Sequence, residues 1–78
     1  MLSVKKMIEM YLNYGLADET WDMMYNMTLH GLISQENWKK FFEKCKDWYI
    51  DEETNSVKNG ENKILYSYDE NGFLQKVA

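Results

Sequence analysis

The fold of this chain is decided by the stretch WDMMYNMTLHGLISQENWKKFFEKCKDWY, which covers residues 21–49. Within it, apolar residues recur at intervals of three, four and seven positions, and this spacing places them on one face of a helix. The pattern stops near Gly31, a residue type that often ends helices, and resumes after Ser34, a residue type that often caps them. The stretch therefore predicts two amphipathic helices joined by a short turn.

A similar apolar stripe comes before this stretch and indicates one more helix. The three stripes comprise, in chain order, Val4, Met7, Ile8, Tyr11 and Leu12; then Trp21, Met24, Tyr25, Thr28, Leu29 and Leu32; then Trp38, Phe41, Phe42, Cys45, Trp48 and Tyr49. We expect helices over residues 4–14, 19–30 and 35–49, with their apolar stripes facing a common core.

The pattern changes from helical to alternating beyond the third stripe. Ile64, Tyr66 and Tyr68 alternate with other residues as they would in a half-buried strand, and a glycine-containing turn signal follows them. We expect an antiparallel hairpin over residues 63–77. A third short strand around residues 56–58 is left open.

These elements define an α+β fold class, with a three-helix N-terminal bundle followed by a C-terminal antiparallel β-hairpin. A chain of 78 residues has room for one core, so we expect a single compact domain over residues 1–78. Three Trp, six Tyr and three Phe supply large apolar side chains for that core.

Residues that could perform catalysis or hold a metal are scarce. The chain has one cysteine, Cys45, and one histidine, His30, which are too few for a zinc site. A nucleophilic site would need a cysteine in a basic, exposed setting, but Cys45 falls on the predicted apolar face of the third helix and His30 at the predicted end of the second. A calcium-loop pattern that starts at Ser67 would need glutamate at position 78, where the chain has Ala78. We therefore expect no enzyme activity, no metal and no cofactor.

The charge of the chain is unevenly distributed. Residues 51–78 contain six acidic side chains and three lysines, so this segment carries three of the four net negative charges of the whole chain. Arginine, which clamps phosphates and reads guanine, is absent from the sequence, so nucleic acid is not an expected partner. Because no apolar run is long enough for a membrane span, we expect a cytoplasmic protein with no membrane partner.

The second helix has a possible contact surface on its other side. At about 100° per residue, Met23 and Met27 lie roughly opposite the apolar stripe of that helix, and Met10 and Tyr14 of the first helix could extend the surface. A helix that is apolar on two faces is either enclosed in the fold or contacts a partner. Both alternatives remain open for the two methionines.

Two acidic segments are further candidates for contact with a partner. They comprise Asp51, Glu52 and Glu53, and then Asp69 and Glu70. Carboxylates of this kind could engage a basic groove that normally holds nucleic acid. We expect a small acidic protein-binding module, encoded by a phage or mobile element, that inhibits a host nucleic-acid-handling complex in the host cell cytoplasm, as small anti-CRISPR proteins do.

Two other functions are consistent with the sequence. Three helices followed by a hairpin is the element order of a winged-helix DNA-binding domain, with residues 63–77 as the wing. A structural or oligomerisation module, such as a homodimer that meets its own copy through the methionine face, is the other alternative.

Overall fold

The computed structural model describes residues 1–77, which fall into two compact units, a helical unit over Met1–Lys46 and a sheet unit from Asp47 onward. The elements are α1 (Val4–Asn13), α2 (Asp18–Leu29), α3 (Gln35–Cys45), β1 (Tyr49–Asp51), β2 (Ser56–Lys58), β3 (Ile64–Tyr68) and β4 (Leu74–Lys76). The predicted α+β class, with helices before strands, is confirmed. The single compact domain stays a prediction from chain length.

The helix boundaries follow local side-chain chemistry at most ends. The hydroxyl of Ser3 accepts a hydrogen bond from the backbone N–H of Lys6 at 3.2 Å, and that of Ser34 accepts one from Asn37 at 3.1 Å. Both serines therefore cap their helices, as the sequence predicts for Ser34. Asp18 is the first residue of α2, where its negative charge interacts favourably with the positive end of the helix dipole.

The third helix is shorter than its apolar spacing predicts. It ends at Cys45 rather than at residue 49, because the following segment forms a strand. Tyr49 pairs with Lys58 and the next residue, Ile50, pairs with Val57. Aromatic and β-branched residues suit a pleated strand. Tyr49 therefore pairs with β2, although its spacing also fits the apolar face of a longer third helix.

The C-terminal strands form a four-stranded antiparallel sheet in the order β1-β2-β3-β4, not a two-stranded hairpin. The β3–β4 hairpin is present as predicted, and β2 occupies the position of the strand that was left open. The additional strand is β1, whose first residue, Tyr49, the sequence pattern assigned to the end of the third helix. More than two strands are generally needed for a sheet to be stable, and this arrangement meets that need.

The turn between β2 and β3 brings Gly60 close to the side chain of Asp47. The N–H of Gly60 donates a hydrogen bond to the carboxylate of Asp47 at 3.1 Å. A Cβ atom at position 60 would lie 2.7 Å from that carboxylate, closer than such contacts normally allow. The left-handed residue of this turn is Asn62, with a φ of 63°. Asn59 and Gly60 therefore lie in a turn, closed by a hydrogen bond from the N–H of Asn62 to the carbonyl of Asn59 at 3.0 Å, in which the Asp47 side chain approaches the backbone closely.

The core of the helical unit is built around aromatic rings. Phe41 is fully buried, and its ring lies 4.8 Å from that of Trp21, 5.7 Å from that of Tyr11 and 6.1 Å from that of Trp38. The other buried residues of this unit are Met7, Tyr11, Leu12, Thr20, Met24, Ile33 and Cys45. Each helix contributes to this core, and each contacts the other two.

We expect replacement of Phe41 by alanine to lower the free energy of unfolding of the helical unit by about 3–5 kcal/mol, because it leaves a cavity among the rings. Denaturant titration followed by helical circular dichroism measures the change. The matched control is Phe42→Ala at the next position, where the side chain is 43% exposed and the loss should be less than half as large. Equal losses in the two variants would contradict the assignment of Phe41 as the centre of the core.

Candidate functional site

The residues predicted as partner contacts are divided between the two units. The four on the methionine surface, Met10, Tyr14, Met23 and Met27, belong to the helical unit, and the five acidic ones belong to the sheet unit. Tyr14 is 62% exposed and Met23 is 36% exposed, whereas Met10 and Met27 are half-buried. Their role in partner contact stays a prediction.

Sheet topology brings the two acidic segments to one place. In an antiparallel meander, the β1–β2 and β3–β4 turns lie at the same end of the sheet, and the β2–β3 turn lies at the other end. The N–H of Tyr68, the last residue of β3, donates to the carbonyl of Asn55 at 3.0 Å, which joins the β1–β2 turn to the strand that leads into the β3–β4 turn. We call this the acidic end; its residues are Asp51, Glu52, Glu53, Asp69 and Glu70.

Asp51 is held in place by contacts within the sheet unit. Its carboxylate accepts a hydrogen bond from the Nζ of Lys58 at 2.6 Å and another from the N–H of Glu53 at 3.0 Å. The hydrogen bond to Lys58 lowers the pKa of Asp51 and raises the pKa of the lysine. Asp51 is therefore ionised but has its charge largely matched by Lys58, so its main role is to join β1 to β2.

Asp69 shapes the β3–β4 turn. Its Oδ1 accepts hydrogen bonds from the N–H groups of Asn71 at 2.9 Å and Phe73 at 2.8 Å. Gly72 adopts the left-handed conformation expected from its position, with a φ of 82°. An aspartate that accepts from the backbone two residues further on forms an Asx turn, so the sequence signal for acidity here is also a turn signal.

The remaining three acidic side chains point outward. Glu52, Glu53 and Glu70 are exposed, and within residues 1–77 none of their side chains takes part in a hydrogen bond or ion pair. The sheet unit as a whole, from residue 47 onward, has seven acidic side chains and three lysines. The structure therefore divides the predicted acidic set into two aspartates that build turns and three glutamates that face solvent.

The apolar stripe of α2 is less buried than the sequence predicts. Tyr25 is 51% exposed and Leu29 is 65% exposed, and Leu32, just beyond the helix, is 54% exposed. The buried face of α2 is centred on Met24, which is fully buried. At about 100° per residue, Tyr25 lies on one flank of this face and Met23 on the other. Both flanks are therefore accessible, whereas the prediction placed Tyr25 and Leu29 in the core.

The flank that carries Tyr25 and Leu29 lines a groove that sequence reasoning did not identify. Its volume is about 710 Å³, and its lining residues are Tyr25, Thr28, Leu29, Gln35, Glu36, Trp38 and Lys39. The tyrosine ring lies 5.9 Å from the ring of Trp38, so aromatic side chains form the contact between the two helices here. The sequence signal was an apolar stripe on α2 that is wider than the two neighbouring helices cover.

The described residues offer no arrangement suited to holding a metal. Within residues 1–77, no three side chains of His, Cys, Asp or Glu come together as ligands, and this includes the acidic end. None of the helices in this part of the chain is long and apolar enough to traverse a lipid bilayer.

Comparisons with known proteins add no assignment. No protein-family model matches the chain, and neither a curated protein nor a solved structure matches it. What the geometry defines is an α+β chain with an acidic sheet end and an exposed aromatic groove.

We expect the Asp51 carboxyl to titrate below its ordinary pKa of about 3.9. A lowered pKa in the folded state means that the Lys58 contact stabilises the sheet above the ordinary pKa, and that this stabilisation is lost as the pH falls through the lowered value. A titration of carboxyl carbon shifts by NMR measures it. Lys58→Met should move the Asp51 pKa upward, whereas the control Lys76→Met should leave it unchanged; no shift in Lys58→Met would contradict the pairing.

Proposed function

We propose that this chain is a protein-binding module whose acidic end docks on a basic surface of another protein, one that normally holds nucleic acid, and blocks it. The observation that supports the proposal most directly is the gathering of Glu52, Glu53 and Glu70 at one end of the sheet. Exposed carboxylates are the acceptors that lysine and arginine side chains bind in place of phosphate.

The distribution of charge between the units supports the same function. Residues 1–46 contain six lysines and six acidic side chains, whereas residues 47–78 contain three lysines and seven acidic side chains. All of the net negative charge of the chain therefore belongs to the sheet unit. A potential concentrated in this way steers association with a positively charged partner and raises the rate of encounter.

Direct binding of DNA is less well supported by the same residues. The lysines Lys40 and Lys46 of the third helical segment lie 3.1 Å from Glu36 and 3.3 Å from Glu43, so part of their charge is matched locally. Contacts with phosphate supply most of the affinity for nucleic acid. The helical unit has no net charge and no arginine, so it has few unmatched positive charges for such contacts.

The proposed setting is the cytoplasm of a bacterial host. Lysine supplies all nine basic side chains of the chain, which fits an AT-rich coding sequence and a source such as a phage or mobile element of a low-GC bacterium. A small acidic inhibitor of a host nucleic-acid-handling complex, similar in kind to anti-CRISPR proteins, is the specific form of the proposal.

The experiment is capture from a low-GC bacterial lysate on the immobilised chain, followed by elution with short duplex DNA. We expect a captured protein that DNA displaces, because both ligands would occupy one basic surface. Its affinity should fall steeply with added salt, since screening shortens electrostatic range from about 10 Å at 0.1 M to about 3 Å at 1 M. An affinity that does not change with salt, or capture that DNA does not reverse, would contradict the proposal.

The matching variant replaces Glu52, Glu53 and Glu70 with glutamine. We expect it to bind the captured protein roughly tenfold or more weakly, because it loses the outward charges of the acidic end. The control replaces Glu9, Glu19 and Glu61 with glutamine, which removes the same charge elsewhere and should retain binding. Equal weakening in the two triple variants would show that only net charge matters and would rule out the acidic end as the docking site.

A further inference from the structure

The outer face of α2 and α3 carries a continuous line of partly exposed apolar side chains. Tyr25 contacts Trp38 with ring centres 5.9 Å apart, Trp38 contacts Trp21 at 5.7 Å, and Trp21 contacts Phe42 at 5.8 Å. Leu29 extends the line by one turn along α2. We call these five residues the aromatic stripe. Tyr25, Leu29 and Phe42 are 51%, 65% and 43% exposed, and contiguous exposed apolar surface of this kind marks interfaces.

The two helices run antiparallel beneath this stripe. Tyr25 of α2 contacts Trp38 of α3. Trp21 lies one turn before Tyr25 on α2, and it contacts Phe42, which lies one turn after Trp38 on α3. One turn before Trp21 on α2 is Asp18, and one turn after Phe42 on α3 is Lys46, so these two residues lie at the same level along the paired helices. The positions of these two charges along the helices therefore match.

The edges of the stripe carry opposite charges. On α2, Asp18 and Asp22 lie on the same outer flank as Tyr25 and Leu29, because positions seven and eleven residues apart share a helix face. On α3, the same rule places Lys39 and Lys46 on the flank of Phe42. These four charged residues are exposed. One edge of the face is therefore acidic and the other is basic.

We propose that a second copy of this chain covers the aromatic stripe. A two-fold axis parallel to the helices would place α2 of each copy over α3 of the other. Asp18 of each copy would then face Lys46 of its mate, and Tyr25 would lie over Trp38. A two-fold interface requires one patch to complement itself, and an acidic edge beside a basic edge at matching levels meets that requirement.

The nearby charges are compatible with this arrangement. Glu43 lies 3.3 Å from Lys46, and Glu36 at the groove lies 3.1 Å from Lys40. These pairs are exposed and such pairs contribute little, so Lys46 can exchange Glu43 for Asp18 of the second copy. The ammonium of Lys46 also lies 5.8 Å from the ring centre of Phe42, which keeps it beside the stripe.

The first test is the oligomeric state of the full chain, measured by sedimentation velocity over a concentration series. We expect a reversible dimer in the wild type. Leu29→Lys should raise the dimer dissociation constant about tenfold or more, because it places a charge in the covered stripe. The control is Phe73→Lys, which changes a similarly exposed apolar residue in the sheet unit and should leave the constant unchanged. A monomeric wild type, or a dimer unaffected by Leu29→Lys, would overturn the proposal.

The second test uses charge reversal. Asp18→Lys and Lys46→Asp should each be monomeric, since like charges would meet twice in each homodimer. An equimolar mixture of the two should form a dimer, because each contact then joins Lys to Asp. Glu19→Lys and Lys44→Asp, at neighbouring exposed positions on other faces, should behave as the wild type, and circular dichroism checks that all variants fold. A mixture that stays monomeric would overturn the proposed axis, whatever the outcome for the acidic end.

Discussion

The ring of Phe41 lies among those of Tyr11, Trp21 and Trp38, and this contact joins the three helices of the helical unit. A unit of fewer than fifty residues buries a small fraction of its surface, so a few large side chains must supply most of its apolar contact. Edge-to-face ring pairs contribute roughly 0.5–1.5 kcal/mol beyond burial alone. The positions of the helices therefore depend on this one cluster.

The small size of the helical unit also leaves apolar surface exposed. Three short helices cannot enclose every ring, so α2 buries only the face around Met24 and exposes both flanks. Tyr25 and Leu29 lie on one flank and Met23 on the other, and each flank is a candidate for contact with a partner. The charges beside the first flank are arranged in a self-complementary way, which is why a second copy is the occupant we propose for it.

The acidic residues of the sheet unit serve two purposes. Asp51 and Asp69 accept hydrogen bonds that build the strands and turns around them. Glu52, Glu53 and Glu70 have longer side chains at neighbouring positions and face solvent instead. The fold thus uses the short acidic side chains and leaves the long ones available, and the meander places all of them at one end.

Local chemistry determined the parts of this protein that the sequence predicted correctly. Serine caps, left-handed glycines and apolar periods act within a few residues, so they specified the three helices and the β3–β4 hairpin. Long-range contacts decided the rest. Tyr49 has the spacing of a helical residue but lies in β1, where it pairs with Lys58 of β2. Tyr25 has the spacing of a core residue but is half exposed, with Trp38 beside it. Period gives the direction of a side chain, and only the packed structure determines what that side chain meets.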